Sequence, residues 1–149
     1  MSNATETAAR AVFDAINSGD LAVLDEVVTD DFVDHGSPFP IEPGPAGYRE
    51  ILTFVHQALR YRYEIQEIFS AGNRVVVRAE AAAVGLAPLH GPAAAGKPYR
   101  ITTLHIYRTE GDLLAEHWGV RDDLSAFIQL GVITPPDPAA IARAHQAST

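Results

Sequence analysis

The residues best suited to chemistry lie near the carboxyl end of the sequence, in the segment LAEHWGVRDDLSAFIQLG (Leu114–Gly131). If this segment begins as a straight strand, its side chains alternate between two faces, and one face carries Glu116, Trp118, Val120 and Asp122. His117 and Arg121 then fall on the opposite face. A carboxylate beside an apolar ring loses hydration, so its pKa rises and it can exchange protons near neutral pH. The spacing predicts Asp122 as a general acid or base beside Trp118.

A second strand brings His105 into the same region. The sequence TEGD at residues 109–112 predicts a hairpin turn, and a tight turn on Glu110 and Gly111 places His105 opposite Glu116. On this register, the side chains that converge are those of Thr103, His105, Tyr107, Trp118 and Asp122. A nearby histidine can orient a carboxylate or share its proton. One β-bulge in the hairpin would instead turn His105 to the competing face.

Each of these residues also has a structural interpretation. Asp122 is well placed to cap a helix over residues 123–130. Trp118 fits a core anchor, although a tryptophan that lines a pocket serves both purposes. His117 fits either the pocket or the outer face. His35, in the loop that begins DHG, fits either a functional residue or a loop histidine bonded to the backbone.

Several catalytic classes lack their residues or motifs in this sequence. There is no cysteine, which excludes thiolate nucleophiles, disulfides and cysteine-bound metal centres. The six histidines form no HExxH or His-x-His pattern, so no metal site is expected. The glycine-rich signatures of nucleotide-binding loops and the G-x-S-x-G signature of hydrolases are also missing. We therefore expect no cofactor, with chemistry carried by carboxylate and histidine side chains.

The composition is typical of one globular domain. The 149 residues, of which 47% are hydrophobic, fit a single domain over 1–149, with a core at about 5–133 and a tail at 134–149. The net charge of −8 argues against nucleic-acid binding, which needs a basic face. No signal-like apolar run begins the sequence, and no stretch of about 18 apolar residues could span a bilayer. We expect a cytoplasmic protein without a membrane partner.

The elements that must position these residues follow from hydrophobic spacing. Apolar residues recur at helical intervals over residues 5–17, 21–28 and 46–59. From residue 61 the pattern changes to that of strands, which are predicted over residues 61–69, 74–84, 99–108 and 113–121. A short helix over residues 122–130 follows. Helices before a mostly antiparallel, hairpin-connected sheet indicate an α+β fold, with a pocket between the layers.

Four segments, in this order, resemble those of a known family. They are VTDDFVDHG, PGPAGYREIL, GKPYRITTLHIYRTEGDLLAEHW and WGVRDDLSAFIQLG. Together they resemble the SnoaL-like polyketide cyclase (ester cyclase) group of the NTF2-like superfamily, over residues 5–133. The most specific part is the closing W-x-x-x-D followed by QLG. The resemblance implies an α+β, cone-shaped barrel, in which amino-terminal helices pack on a curved, mostly antiparallel sheet around a pocket.

The resemblance also implies an activity that uses no metal or organic cofactor. In characterised members, an intramolecular aldol condensation closes the last ring of an aromatic polyketide in antibiotic biosynthesis. A pocket aspartate removes a proton alpha to a carbonyl. By motif matching this aspartate corresponds to Asp122, with His105 and His117 completing the expected catalytic set. The expected ligand is small and hydrophobic or aromatic, and the expected substrate-binding residues are Trp118, His35, Tyr48, Phe54 and Thr103. The superfamily further implies a homodimer or homotetramer.

Two departures separate this chain from many relatives. Gly119 stands directly after the tryptophan, where many relatives carry an acidic residue. The sequence Gly85-Leu86-Ala87 stands where relatives often show Gly-Thr-His. Other members hydroxylate polyketides, and the superfamily includes hydrolases, dehydratases and isomerases. The alternatives are therefore a hydrolase, hydratase or hydroxylation component that uses the same pocket, and a non-catalytic module that binds a small molecule.

Overall fold

The chain forms helices that pack on one face of a five-stranded sheet. The computed structural model describes residues 3–147. Its helices are α1 (Ala4–Ser18), α2 (Leu24–Val27), α3 (Pro45–Phe54), α4 (Ala87–His90), α5 (Asp123–Gln129) and α6 (Pro138–Gln146). Its strands are β1 (Val28–Asp34), β2 (Arg62–Ala71), β3 (Arg74–Val84), β4 (Pro98–Glu110) and β5 (Leu113–Arg121). A π-helical turn, Val55–Leu59, directly follows α3, and a 3₁₀ turn covers Pro92–Ala94.

The sheet is curved and has the strand order β1-β5-β4-β3-β2. Strands β2 to β5 pair antiparallel with their neighbours, whereas β1 pairs parallel with β5. The predicted α+β fold, with amino-terminal helices on a mostly antiparallel sheet, is confirmed. The sheet is not closed into a complete barrel, because β1 and β2 remain at its two edges.

Strand β1 is a strand that the sequence pattern did not predict. A helix was expected over residues 21–28, but α2 is only four residues long, and Val28 already begins β1. Two consecutive residues in the middle of the strand, Asp30 and Asp31, are both exposed, which interrupts the usual alternation of a half-buried strand. What defines β1 is its parallel pairing with β5, more than 80 residues later, which places Asp34 beside His117.

The core lies between α1 and the inner face of the sheet. Strand β4 alternates strictly between exposed and buried residues over most of its length, as expected for a strand with one covered face. A large apolar cluster joins α1 to β3 and β5, and its fully buried members include Ala9, Val12, Val75, Val77 and Leu114. A second cluster, around Tyr61, Tyr99 and Ile101, holds α5 against the other end of the sheet. Val55 and Tyr63 pack against both clusters.

The outer face of the sheet is exposed and partly apolar. Its large exposed side chains include Leu104, Ile106, Trp118 and Val120. The predicted homo-oligomer stays a prediction.

None of the helices within residues 3–147 is long and apolar enough to cross a bilayer. In the predicted tail, α6 contains no buried residue.

Candidate active site

A cavity opens between the helices and the inner face of β4 and β5. Its volume is about 270 Å³, close to the lower end of the roughly 300–1,000 Å³ that is usual for small-molecule sites. Its apolar walls include Phe13, Ile51, Leu52, Phe54, Val55 and Leu59. Its polar lining includes Asp34, Tyr48, His105, Tyr107, His117 and Arg121. An apolar space with a few convergent polar groups is typical of a ligand site.

A β-bulge sets the register of the hairpin that carries the two histidines. The pairing between β4 and β5 shifts between Arg108 and Thr109. Because the turn lies on Gly111 and Asp112, one residue later than expected, and the bulge adds one further residue on β5, His105 lies opposite Gly119 rather than opposite Glu116. This is the bulged alternative that the sequence left open.

The bulge decides which side chains reach the cavity. His105 and His117 both turn to the covered face, and each is 8% exposed. Trp118 turns to the outer face, where it is 37% exposed. The predicted convergence of His105 with Trp118 and Asp122 is therefore wrong, whereas the predicted separation of His117 from Trp118 is confirmed.

Asp122 caps a helix and is not among the residues that line the cavity. Strand β5 ends at Arg121, and the chain turns there into α5. The Asp122 carboxylate accepts a hydrogen bond from the backbone N–H of Ser125 at 3.0 Å, as expected of an N-cap. The residue is exposed. Its catalytic role stays a prediction, and this placement argues against that role.

Replacing the cap tests this assignment. We expect Asp122→Ala to lower the free energy of unfolding by about 1 kcal/mol, because α5 loses the acceptor for one of its first backbone N–H groups. We expect kcat to be unchanged, because the side chain lies outside the cavity lining. Urea unfolding and steady-state kinetics measure the two effects separately. A large loss of kcat at unchanged stability would restore Asp122 to the catalytic set.

His35 and Trp118 also lie outside the cavity lining. Their rings stack with centroids 4.9 Å apart and planes 11° apart. His35 Nε2 lies 3.3 Å from a carboxylate oxygen of Glu116, and the Arg74 guanidinium lies 5.8 Å from the centre of the Trp118 ring. These contacts form a cluster on the outer face of the sheet.

The other predicted residues meet at the cavity. Tyr48 and Phe54 line it, together with His105 and His117. Thr103 is completely buried behind His105, so it contacts the histidine rather than the open space. In residues 3–147, no group of three or more histidine and acidic side chains is arranged to hold a metal ion.

A continuous chain of hydrogen bonds connects the cavity wall to the interior of the sheet. Asp34 Oδ1 lies 2.7 Å from His117 Nδ1, and His117 Nε2 lies 2.9 Å from His105 Nδ1. His105 Nε2 in turn lies 3.0 Å from Thr103 Oγ1, which is 3.1 Å from the carbonyl oxygen of Ala79. The chain thus uses both nitrogens of both imidazole rings.

The bonds that join Asp34, His117, His105 and Thr103 can form in two states, which differ by one proton. If the Thr103 hydroxyl donates to Ala79, then His105 Nε2–H donates to Thr103, and His105 Nδ1 must accept from His117 Nε2–H. The contact between His117 and Asp34 then contains one proton more than a neutral imidazole and a carboxylate would have. If the Thr103 hydroxyl instead donates to His105, both rings reverse their tautomers, and this extra proton is absent. The three bonds from Asp34 to Thr103 are therefore kept in both states, whereas the bond from Thr103 to Ala79 exists only in the first.

Burial fixes which groups of the site carry charge. Removal from water, with smaller effects from the charges of His117 and Arg121, lowers the pKa of His105 to about 3. His105 is therefore neutral at physiological pH. Burial also raises the pKa of the Tyr48 and Tyr107 hydroxyls well above their usual value. Both phenols consequently retain their protons and can donate hydrogen bonds.

Asp34 is the functional candidate that sequence reasoning missed. Its side chain is only 4% exposed and lines the cavity. Oδ1 accepts hydrogen bonds from His117 and from the backbone N–H of Gly36, the latter at 2.8 Å. Among the described residues, Oδ2 has no hydrogen-bond partner. The D-x-G spacing of an Asx turn was the available signal, because such a turn fixes the aspartate side chain.

The two buried phenols provide a donor to the cavity. The Tyr48 and Tyr107 hydroxyl oxygens lie 3.2 Å apart, so one phenol donates to the other. The second phenol keeps a hydrogen for which the described residues show no acceptor. The Tyr107 ring stacks on His117 with centroids 4.8 Å apart, which places the pair beside the proton chain. A carbonyl oxygen is the simplest ligand group that could accept this hydrogen.

Gly119 leaves the space that the histidine pair occupies. A β-carbon at this position would lie 3.0 Å from His117 Cε1 and 3.3 Å from His105 Nδ1. Any larger residue would therefore displace one of the rings. An acidic side chain at position 119 would therefore need a shift of the two imidazoles.

Comparisons with known proteins agree with the fold. IdmH from Streptomyces antibioticus, described as a candidate polyketide cyclase, is 26% identical, with a TM-score of 0.70 over 85% of this chain and 97% of that chain. A SnoaL-like polyketide cyclase from Agrobacterium tumefaciens is 22% identical, with a TM-score of 0.72 over 88% of this chain and all of that one. AclR, a candidate hydroxylase from Streptomyces galilaeus, is 16% identical, with a TM-score of 0.69 over 97% and 91% of the two chains. Among curated proteins, no sequence matches significantly.

The match at the level of sequence families covers most of the chain. The model of the family described as SnoaL-like polyketide cyclase matches residues 6–130. This range contains all five strands and the complete chain of hydrogen bonds from Asp34 to Thr103. The resemblance found in the sequence is thereby confirmed, and the protein belongs to the SnoaL-like polyketide cyclase family.

Proposed function

We propose that the protein catalyses an intramolecular aldol condensation of an aromatic polyketide or a similar carbonyl compound, with Asp34 as the general base. The observation that carries this proposal is the free Oδ2 of Asp34 at the wall of an apolar cavity, where Oδ1 is bonded to a chain of two histidines. Membership of a polyketide cyclase family supports the reaction class. The proposed base differs from Asp122, the residue expected from the sequence.

The first step is proton abstraction. Asp34 Oδ2 removes a proton from a carbon alpha to a substrate carbonyl, and the electron pair of the C–H bond moves to the carbonyl oxygen. This oxygen accepts the spare hydrogen bond of the Tyr48–Tyr107 pair, whose donor is already in place where the negative charge develops. The enolate is stabilised without a bound metal or organic cofactor in this scheme.

The second step forms the ring. The enolate carbon attacks a second carbonyl carbon of the same molecule, a C–C bond forms, and the attacked carbonyl becomes an alkoxide. The alkoxide takes back the proton from the Asp34–His117 pair, which leaves a hydroxyl group and regenerates the carboxylate. Product and substrate have the same atoms, so no oxidant, reductant or water is consumed.

The histidine chain buffers the transferred proton. When Asp34 accepts a proton, the chain changes from the state with one proton fewer to the state with one proton more. His117 can hold this proton between the two steps, since its other nitrogen remains bonded to His105 in either state. His117 and His105 therefore support the base, and Thr103 orients His105 through their 3.0 Å contact.

The mass of the product tests the reaction class. We expect the protein to convert an aromatic poly-β-ketone with an acidic C–H group into a cyclised product of equal mass, or lighter by one water after spontaneous dehydration. A product heavier by one water would identify a hydratase, two fragments that together equal the substrate plus one water would identify a hydrolase, and a product heavier by one oxygen would identify a hydroxylase. Any of these results would overturn the proposal. Binding of the C–H acid in D₂O without exchange of its acidic hydrogen for deuterium would overturn it as well.

Removing both hydroxyl groups of the phenol pair should lower kcat far more than removing either one alone. We expect Tyr48→Phe and Tyr107→Phe each to keep most of kcat, because each single variant still retains one hydroxyl hydrogen for the carbonyl oxygen. The double variant loses the last donor, and its kcat should fall about 100- to 1,000-fold. Steady-state kinetics on the four proteins measure this pattern. Equal, additive losses in the two single variants would contradict a shared donor.

A further inference from the structure

Arg121 is a part of the cavity that the proposed proton transfer does not use. It is the next inward-facing position of β5 after His117 and Gly119, because alternate residues of a strand share a face. Among the described residues, it is the one lysine or arginine side chain that lines the cavity. Its residue is exposed, as is its neighbour on the lining, Asp123, so this end of the cavity opens to solvent.

The guanidinium of Arg121 has one ring contact and one weak ion pair among the described residues. It lies 5.8 Å from the centre of the buried Tyr61 ring, a cation–π contact. Its ion-pair partner among the described residues is Asp123, at 3.5 Å through one nitrogen, and this carboxylate is half exposed. A guanidinium has five N–H donors arranged for a carboxylate. Most of these donors remain available to a ligand.

The position of Arg121 suits a ligand that also reaches the proton chain. Arg121 lies four positions after His117 on β5, which corresponds to about 13 Å along an extended strand. Both side chains line the same cavity. The positive charge of Arg121 also contributes to the lowered pKa of His105, so its field reaches the reaction centre.

We propose that the substrate carries a free carboxylate at the end remote from its reacting carbonyl, and that Arg121 binds this carboxylate at the mouth of the cavity. This inference rests on the proposed function and specifies its substrate as an aromatic keto acid rather than the corresponding ester. A local cation is needed to attract such an anion to a chain with a net charge of −8.

A matched pair of ligands tests the proposal. An aromatic β-diketone with a remote carboxylate and its methyl ester differ only in this charge. For the acid, we expect Arg121→Gln to raise KM about 10- to 100-fold, the usual effect of a hydrogen bond between charged groups. We expect it to leave KM for the ester unchanged, and Arg121→Lys to recover part of the loss. Arg78→Gln is the control, because Arg78 is exposed on β3 and pairs with Glu67 instead of lining the cavity.

The failure of this inference is distinguishable from failure of the proposed function. Calorimetric titration of the Asp34→Asn variant measures binding without turnover. Preference of this variant for the acid over the ester, lost in Arg121→Gln/Asp34→Asn, supports the carboxylate site even if the unmodified protein cyclises nothing. Equal affinity for acid and ester, or equal loss with Arg78→Gln, would overturn the carboxylate site whatever the reaction.

Discussion

Asp34→Asn is expected to reduce kcat about 100- to 10,000-fold, the usual contribution of a general base. The amide has nearly the shape of the carboxylate, so its oxygen can still accept from Gly36 and His117 at the Oδ1 position. Its nitrogen, placed at the Oδ2 position, cannot take up the substrate proton. KM should change much less than kcat, because the apolar walls of the cavity remain.

Steady-state kinetics on a substrate that the unmodified protein cyclises measure this loss, and circular dichroism shows whether the fold is retained. Asp122→Asn is the informative comparison, because Asp122 was the base expected from the sequence. If the sequence-based assignment is right, the large loss of kcat should instead occur in Asp122→Asn and not in Asp34→Asn. More than a tenth of the original kcat in Asp34→Asn would exclude Asp34 as the base.

The second large effect concerns stability at low pH. The pKa of His105 is about 3 in the folded protein and about 6.5 in an unfolded chain. Below pH 6.5 the unfolded state therefore binds a proton that the folded state does not, and the free energy of unfolding falls as the pH falls. The loss should reach about 3 kcal/mol at pH 4.5, approach about 5 kcal/mol below pH 3, and be absent above pH 7.

A variant isolates this effect from the titration of other groups. His105→Gln keeps a neutral, hydrogen-bonding side chain but has no titratable group. Urea unfolding at pH 7 and pH 4.5 should show a loss in the variant that is about 3 kcal/mol smaller than in the unmodified protein. The same loss in both proteins would show that His105 is not the group responsible.

The order and type of most elements could be predicted from local sequence. Alternation along β5 correctly separated His117 from Trp118, because one face of this sheet is covered and the other exposed. The register of the hairpin could not be predicted in the same way. Leu114 and Ala115 are consecutive and both buried, which is the mark of the bulge, but two adjacent apolar residues also fit an unbulged strand.

The error at Asp34 has a different physical origin. The backbone hydrogen bonds of β1 are made with β5, near the other end of the chain, so no local sequence pattern predicts this strand. Without β1, the DHG sequence reads as the start of a loop, and Asp34 has no reason to lie near His117. The sequence thus indicated three members of the proton chain as site residues, Thr103, His105 and His117, but not the carboxylate that completes it.

The parallel pairing of β1 with β5 also has a kinetic consequence. The antiparallel pairs from β2 to β5 join strands that are consecutive in sequence, whereas joining Asp34 to His117 requires closure of a loop of more than 80 residues. Contacts so distant in sequence carry a higher entropic cost and tend to form late. During refolding, enzymatic activity should therefore recover in the last phase, after the fluorescence and circular dichroism signals of the hairpins. During synthesis, Asp34 can pair with His117 only after β5 has been made.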